Sequence, residues 1–123
     1  MNARTVQVAE RYFGVEIADD GALVVAERQD GRRAGTARYP SGAAGVTALR
    51  DHISGLPSRP HVCIRACGSA ALAVAIGLMS VPNVEVTMMA PRSIDSSRPG
   101  VEAPASGPEA DAERLAQRAE RLF

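Results

Sequence analysis

The sequence predicts an α/β domain built on a five-stranded mixed sheet, on three observations. An aromatic and aliphatic run at residues 11–18 is separated by Asp19-Asp20-Gly21 from a second apolar run, Ala22 to Glu27, which is a hairpin pattern. A later run, His61 to Cys67, is almost continuously apolar, as a central parallel strand covered on both faces must be. Segments of helical period alternate with the later strands, the arrangement that layers helices on a sheet. With 123 residues the chain suits one core, and with two Tyr, two Phe and no Trp that core must be made of Ala, Val, Leu, Ile and Met.

The elements follow in the order β-β-β-α-β-α-β. After the hairpin, Gln29-Asp30-Gly31 turns the chain into a third strand, Arg33 to Tyr39, suited to a sheet edge. Pro40-Ser41-Gly42 ends it, and Ser41 is expected to cap a helix with Val46, Leu49, His52 and Ile53 on one face. Gly55-Leu56-Pro57 stops that helix before the run His61 to Cys67. Gly68-Ser69 opens a second helix, Ala70 to Ser80, expected to lay Leu72, Ile76 and Met79 on the sheet. Pro82-Asn83 breaks it, and Val84 to Met89 forms the fifth strand. Residues 1–94 are thus read as the domain and 95–108, rich in Ser, Pro, Gly and Ala, as a flexible linker. Residues 109–123 form a C-terminal amphipathic helix striped by Ala112, Leu115, Ala116, Ala119 and Leu122, a docking face for the sheet or for a partner helix.

Composition removes several functions. All fourteen basic residues are arginines, balanced by fourteen acids, so no net field draws the chain to nucleic acid or an anionic membrane. Without lysine there is no Schiff-base lysine and no Walker P-loop. Cys63 and Cys67, four apart on a strand, would lie ~13 Å apart, too far for a disulfide. His52 and His61 are isolated in sequence and read as structural. The N-terminus lacks the apolar stretch of a signal peptide, and the longest apolar segment, Ala70 to Met79, is too short to span a bilayer, so a cytoplasmic protein without a membrane partner is expected. Asp19-Asp20-Gly21 reads as a turn and not a metal loop. Gly68-Ser69 reads as a cap in preference to a phosphate site, and Cys67 as a buried thiol with no base at hand.

Four phrases carry a resemblance: Gly14-Val15-Glu16-Ile17; Pro40-Ser41-Gly42-Ala43-Ala44-Gly45, which leads into a helix with Leu49; Ala66-Cys67-Gly68; and Ala90-Pro91-Arg92. Together with the element order they resemble the N-terminal, ribonuclease H-like domain of DEDD-type insertion-sequence transposases and pilin-gene invertases, over residues 12 to 94. That resemblance implies a mixed sheet with the first and fourth strands side by side and parallel, and DNA recombination by two-metal phosphodiester transfer. Such chemistry requires carboxylates that clamp two divalent cations.

The carry-over of those carboxylates fails here. The first acid falls on Glu16, which adds a methylene, and the second on Arg65, which reverses the charge. The last two belong to an Asp-x-x-Asp-Ala phrase, of which Asp111-Ala112 matches the second half while Pro108 stands in the first. Hard cations need oxygen ligands. The resemblance therefore implies a degenerate site at Glu16, Arg65 and Asp111, with no metal or other cofactor expected. Arg65 is expected to pair with Glu16 across adjacent strands, with Asp111 reaching in from the terminal helix. The plainer expectation is that Glu16 and Arg65 point to solvent.

Four functions compete. The first is a catalytically incomplete transposase-like domain with a residual binding role, DNA being a partner by resemblance only. The second is a metal-dependent nuclease using Mg²⁺ or Mn²⁺ on Glu16, Asp111 and Asp19 or Asp95. The third is an actin-like or sugar-kinase-like half domain, disfavoured by the sparse glycines and hydroxyls after strand one. The fourth is a homodimeric interaction module using the last helix or an exposed sheet edge.

Overall fold

Two turns build the first three strands of the computed structural model, which describes residues 9–90 and 107–122. β1 (Ala9–Ile17) and β2 (Leu23–Gln29) pair antiparallel, with Val15 opposite Val25. Between them Gly21 takes φ 87°, its N–H donates to the Ala18 carbonyl at 2.8 Å, and the Asp20 carboxylate accepts from the Ala22 N–H at 3.0 Å. Asp19-Asp20-Gly21 is thus a turn. In the next turn Asp30 and Gly31 both have positive φ, as a two-residue hairpin requires. β3 (Arg32–Tyr39) follows at the sheet edge, where Arg32, Arg33 and Arg38 discourage pairing with another strand.

α1 (Ala43–Ser54) buries Leu49 and Ile53 as its period predicts. Ser41 does not cap it. Gly42, at φ 78°, occupies the cap position and no side chain bonds the first turn, so the hydroxyl of Ser41 lies one residue too early. β4 (Ser58–Arg65) runs parallel to β1, pairing Gly14 with Cys63 and Val15 with Ile64. It ends two residues sooner than its apolar run. The Cys67 N–H turns back to the Arg65 carbonyl at 2.9 Å, leaving Cys67 as the residue before α2 (Gly68–Leu78). The ladder from Cys63 to Cys67 on one strand is therefore absent, and both thiols are free.

α2 departs most from expectation. Ala71, Val74, Ala75 and Leu78 face the sheet, whereas Leu72, Ile76 and Met79 are 55, 64 and 65% exposed. A helix apolar on every side carries no periodic signal to choose a face, and the small Ala71 and Ala75 allow the closer approach. β5 (Glu85–Met89) pairs parallel with β4, completing the order β3-β2-β1-β4-β5.

α3 (Pro108–Leu122) covers the opposite face of the sheet, with Pro108 in its first turn, where proline's missing N–H costs nothing. Ala112, Leu115, Ala116 and Ala119 are fully buried there, while Leu122 is half exposed. The stripe is thus consumed by the chain's own sheet. Gly14 makes this possible: a Cβ at that position would lie 2.0 Å from the Ala112 carbonyl oxygen and 2.4 Å from the Ala116 nitrogen. The result is three layers, α1 and α2, sheet, and α3, with cores on both sides of β1, β2 and β4. The interval 95–108 read as a linker lies outside the described residues except for its last two.

Charges lock α3 to the hairpin. Arg28 bonds Glu113 at 2.8 Å and Glu120 at 2.9 Å, and the Gly31 N–H donates to Glu120 at 2.9 Å. Desolvation opposes ionisation of Glu120, but the bonds from Arg28 and Gly31 outweigh it and hold the carboxyl below its ordinary 4.5. A depressed carboxyl pKa stabilises the fold above the unfolded value, and that contribution is lost as pH falls through the folded one. Below pH 4.5, amide exchange in α3 is therefore expected to accelerate more than exchange in β1. Equal acceleration in both would show that Glu120 does not hold the helix.

Candidate functional site

Alternation along β1 and β4 sends Tyr12, Gly14 and Glu16, and His61, Cys63 and Arg65, to the α3 side of the sheet. Glu16 and Arg65 follow directly on the paired residues Val15 and Ile64, so they stand side by side at the carboxyl ends of two parallel strands. Because Gly14 draws the first turns of α3 onto β1, Asp111 comes to the same end of the sheet. Its N–H donates to the Gly107 carbonyl at 3.0 Å, which fixes the start of the helix.

The three residues form one chain of alternating charge. Arg65 Nε donates to Glu16 Oε2 at 2.8 Å, and Arg65 Nη2 stands 3.6 Å from Asp111 Oδ2. Asp111 Oδ1 in turn accepts from Arg114, one helical turn on. Glu16 is buried, with its side chain only 9% exposed, and that of Arg65 is 13% exposed. Pointing to solvent is excluded for both. A charge removed from water to this degree persists because its partner is within hydrogen-bond distance.

The donor set does not fit a two-metal centre. A guanidinium occupies the space between the two carboxylates that would have to share a cation, and it adds positive charge there. Among the described residues no group of three His, Cys, Asp or Glu side chains is arranged to hold a metal ion. Asp19 is exposed in the β1–β2 turn, and Asp95 lies outside the described residues.

Cys67 sits beside the pair. It is exposed, contrary to the buried thiol expected, and its pKa is raised first by desolvation and then by the charge of Glu16, with Arg65 opposing. The raised pKa keeps the thiolate scarce. Cys63 is buried under Leu115 and Ala119, where desolvation pushes its pKa up to about 11. Native protein at mildly alkaline pH is therefore expected to take one alkyl group, at Cys67, and to take the second only on unfolding. Intact-mass measurement after iodoacetamide treatment checks this, and equal modification of both thiols in native protein would contradict the burial.

The N-terminus of α2 has no side-chain cap, so Ser69 does not play the capping role expected of it. Beside it lies a cavity of about 300 Å³ lined by Gly21, Leu23, Val46, Thr47, Ala70 and Ala73 among others, none of them ionisable. Nothing in that lining answers a phosphate's charge.

Two further polar clusters were not foreseen. Glu27, buried on the α1 side, accepts from Arg11 at 3.0 Å and pairs with His52. His61, also buried, pairs with Glu10 and stacks on Tyr12 with ring centroids 5.3 Å apart. Both histidines are held structurally, as their isolation in sequence suggested. The only advance signal for Glu27 was an acid at an otherwise apolar position of β2.

No known protein family matches the chain, and no curated protein matches it. Among the described residues no helix is long and apolar enough to cross a membrane.

Proposed function

We propose that this chain is a ribonuclease H-like domain in which Arg65 stands where divalent cations would be held, and that it acts by binding and not by phosphodiester transfer. The observation that carries the reading is the Arg65 guanidinium set between Glu16 and Asp111. The strand order β3-β2-β1-β4-β5, with β1 and β4 parallel and central, supports the fold assignment. The transposase-like part rests on the four sequence phrases alone. DNA as a partner has no support from the balanced charge, fourteen basic against fourteen acidic residues.

A divalent ion brought to Glu16 would have to displace a hydrogen-bonded guanidinium whose own charge repels it. Titrating the isotopically labelled protein with Mn²⁺ is therefore expected to cause no selective loss of amide signals around Glu16, Arg65 and Asp111. An assay with branched and single-stranded DNA and either Mg²⁺ or Mn²⁺ is expected to show no cleavage. Selective broadening at those residues, together with cleavage that Glu16→Gln abolishes, would overturn the proposal in favour of a nuclease with an altered acid set.

A further inference from the structure

We propose that the flank formed by α2 and β5 is the docking surface for a second copy of this chain, joined edge to edge through β5 about a two-fold axis. This flank lies on the face of the sheet opposite α3 and the Glu16–Arg65 pair.

The two edges of the sheet are built differently. β3 carries Arg32, Arg33 and Arg38, whereas β5 has a single charge, Glu85, at its first position. Among the described residues no strand pairs with the outer side of β5. An edge with one terminal charge and no proline or bulge is a template for another strand.

Backbone polarity favours self-pairing. The Met89 carbonyl accepts from Ala66 at 2.8 Å and so faces the β4 side. By the two-residue period, Val86 and Met88 direct their N–H and C=O groups outward. An antiparallel copy centred on Thr87 sets Val86 opposite the copy's Met88 and Met88 opposite its Val86. Each pair then exchanges both backbone hydrogen bonds. The two Glu85 carboxylates fall at opposite ends of the new ladder, ~13 Å apart, so like charges do not meet.

The same operation covers the exposed side of α2. Val86 and Met88 pair in register with Val62 and Ile64, which belong to the α1–α2 core, so their side chains lie on the α2 face. Gly77 of α2 meets Val46 of α1, which places α1 on one flank of α2. Leu72, Ile76 and Met79 lie on another side of the helix, exposed, and Met88 is exposed with them. Residues 66–84 contain no charged side chain at all, so the surface offers a charged partner nothing to pair with and repels none of itself. A two-fold axis beside β5 brings the two α2 helices together on one face of the continued sheet, apolar stripe against apolar stripe, as an isologous interface requires. Two independent features, the open edge and the exposed stripe, are thus satisfied by one arrangement.

Sedimentation of the full chain across the micromolar range tests this. The chain is expected to sediment at twice its monomer mass, and Ile76→Arg and Met88→Lys are each expected to weaken dimerisation at least about tenfold with an unchanged circular dichroism spectrum. Both positions are exposed in the monomer, and two sites in different elements guard against one variant misfolding. Amide exchange at Val86 and Met88 is expected to slow as concentration rises. A chain that stays monomeric throughout overturns the proposal, as does a dimer that neither substitution weakens. Concentration-independent protection of Val86 and Met88 in a monomer also overturns it, by showing that the chain covers its own edge.

Discussion

Arg65→Ala is expected to lower the unfolding free energy by about 3–5 kcal/mol, the range for breaking a buried ion pair from one side. Glu16 is buried and accepts a 2.8 Å bond from Arg65, so truncation takes that charged donor from a desolvated carboxylate. Asp111 loses a neighbouring charge as well but retains Arg114, so its share of the loss is smaller. The informative comparison is the double substitution Glu16→Gln with Arg65→Met, which removes both charges and keeps most of the volume. It is expected to recover the greater part of the loss, because replacing a buried pair together is far less costly than orphaning one member. Urea unfolding of the three proteins completes the cycle. A loss below about 1 kcal/mol for Arg65→Ala would place the pair with surface ion pairs and refute its role in the site.

Gly14→Ala is expected to cost about 3 kcal/mol, at the upper end of ordinary overpacking. The added carbon would sit 2.0 Å from one backbone atom of α3 and 2.4 Å from another, and backbone cannot rotate aside as a long side chain can. Relief requires α3 to move outward, which loosens Leu115 and Ala119 and draws Asp111 away from Arg65. The substitution should therefore do more than lower stability. Hydrogen exchange in α3 is expected to rise above that in β4, and Cys63 is expected to become open to alkylation in the folded protein. Unchanged exchange with unchanged stability would mean that the helix does not rest on β1 as closely as described.

Much of the fold was legible because turn chemistry is local. Asp19-Asp20-Gly21 and Asp30-Gly31 announce their turns through residues that accept positive φ, and apolar runs flank the first of them. Glu16 and Arg65 were legible as neighbours once their strands were taken as parallel and in register, since each closes its strand at the same level. α2 was misread for a physical reason: an unbroken apolar helix has no polar face to mark which side is outside. Ser41 was misread because capping depends on a one-residue offset that composition does not reveal. The bonds from Glu27 to His52 and from Arg28 to Glu120 join residues 25 and 92 positions apart, and no local pattern links them. Glu113 and Glu120 bind α3 to the hairpin through Arg28, a role no local pattern in the helix announces.

The late position of α3 carries a consequence for how the molecule is assembled. Every strand precedes it in synthesis, and it alone among the described elements shields the face bearing Tyr12, Val24, Ala26 and Cys63. As the chain leaves the ribosome, β1 to β5 can gather under α1 and α2 while that second face stays wet and adhesive. Only when residues 108–122 emerge does the sheet acquire its other cover, through contacts that span most of the chain. A nascent chain stalled before Pro108 would therefore be the species most prone to aggregate or to be retained by a chaperone, with the apolar patch around Gly14 as the point of capture.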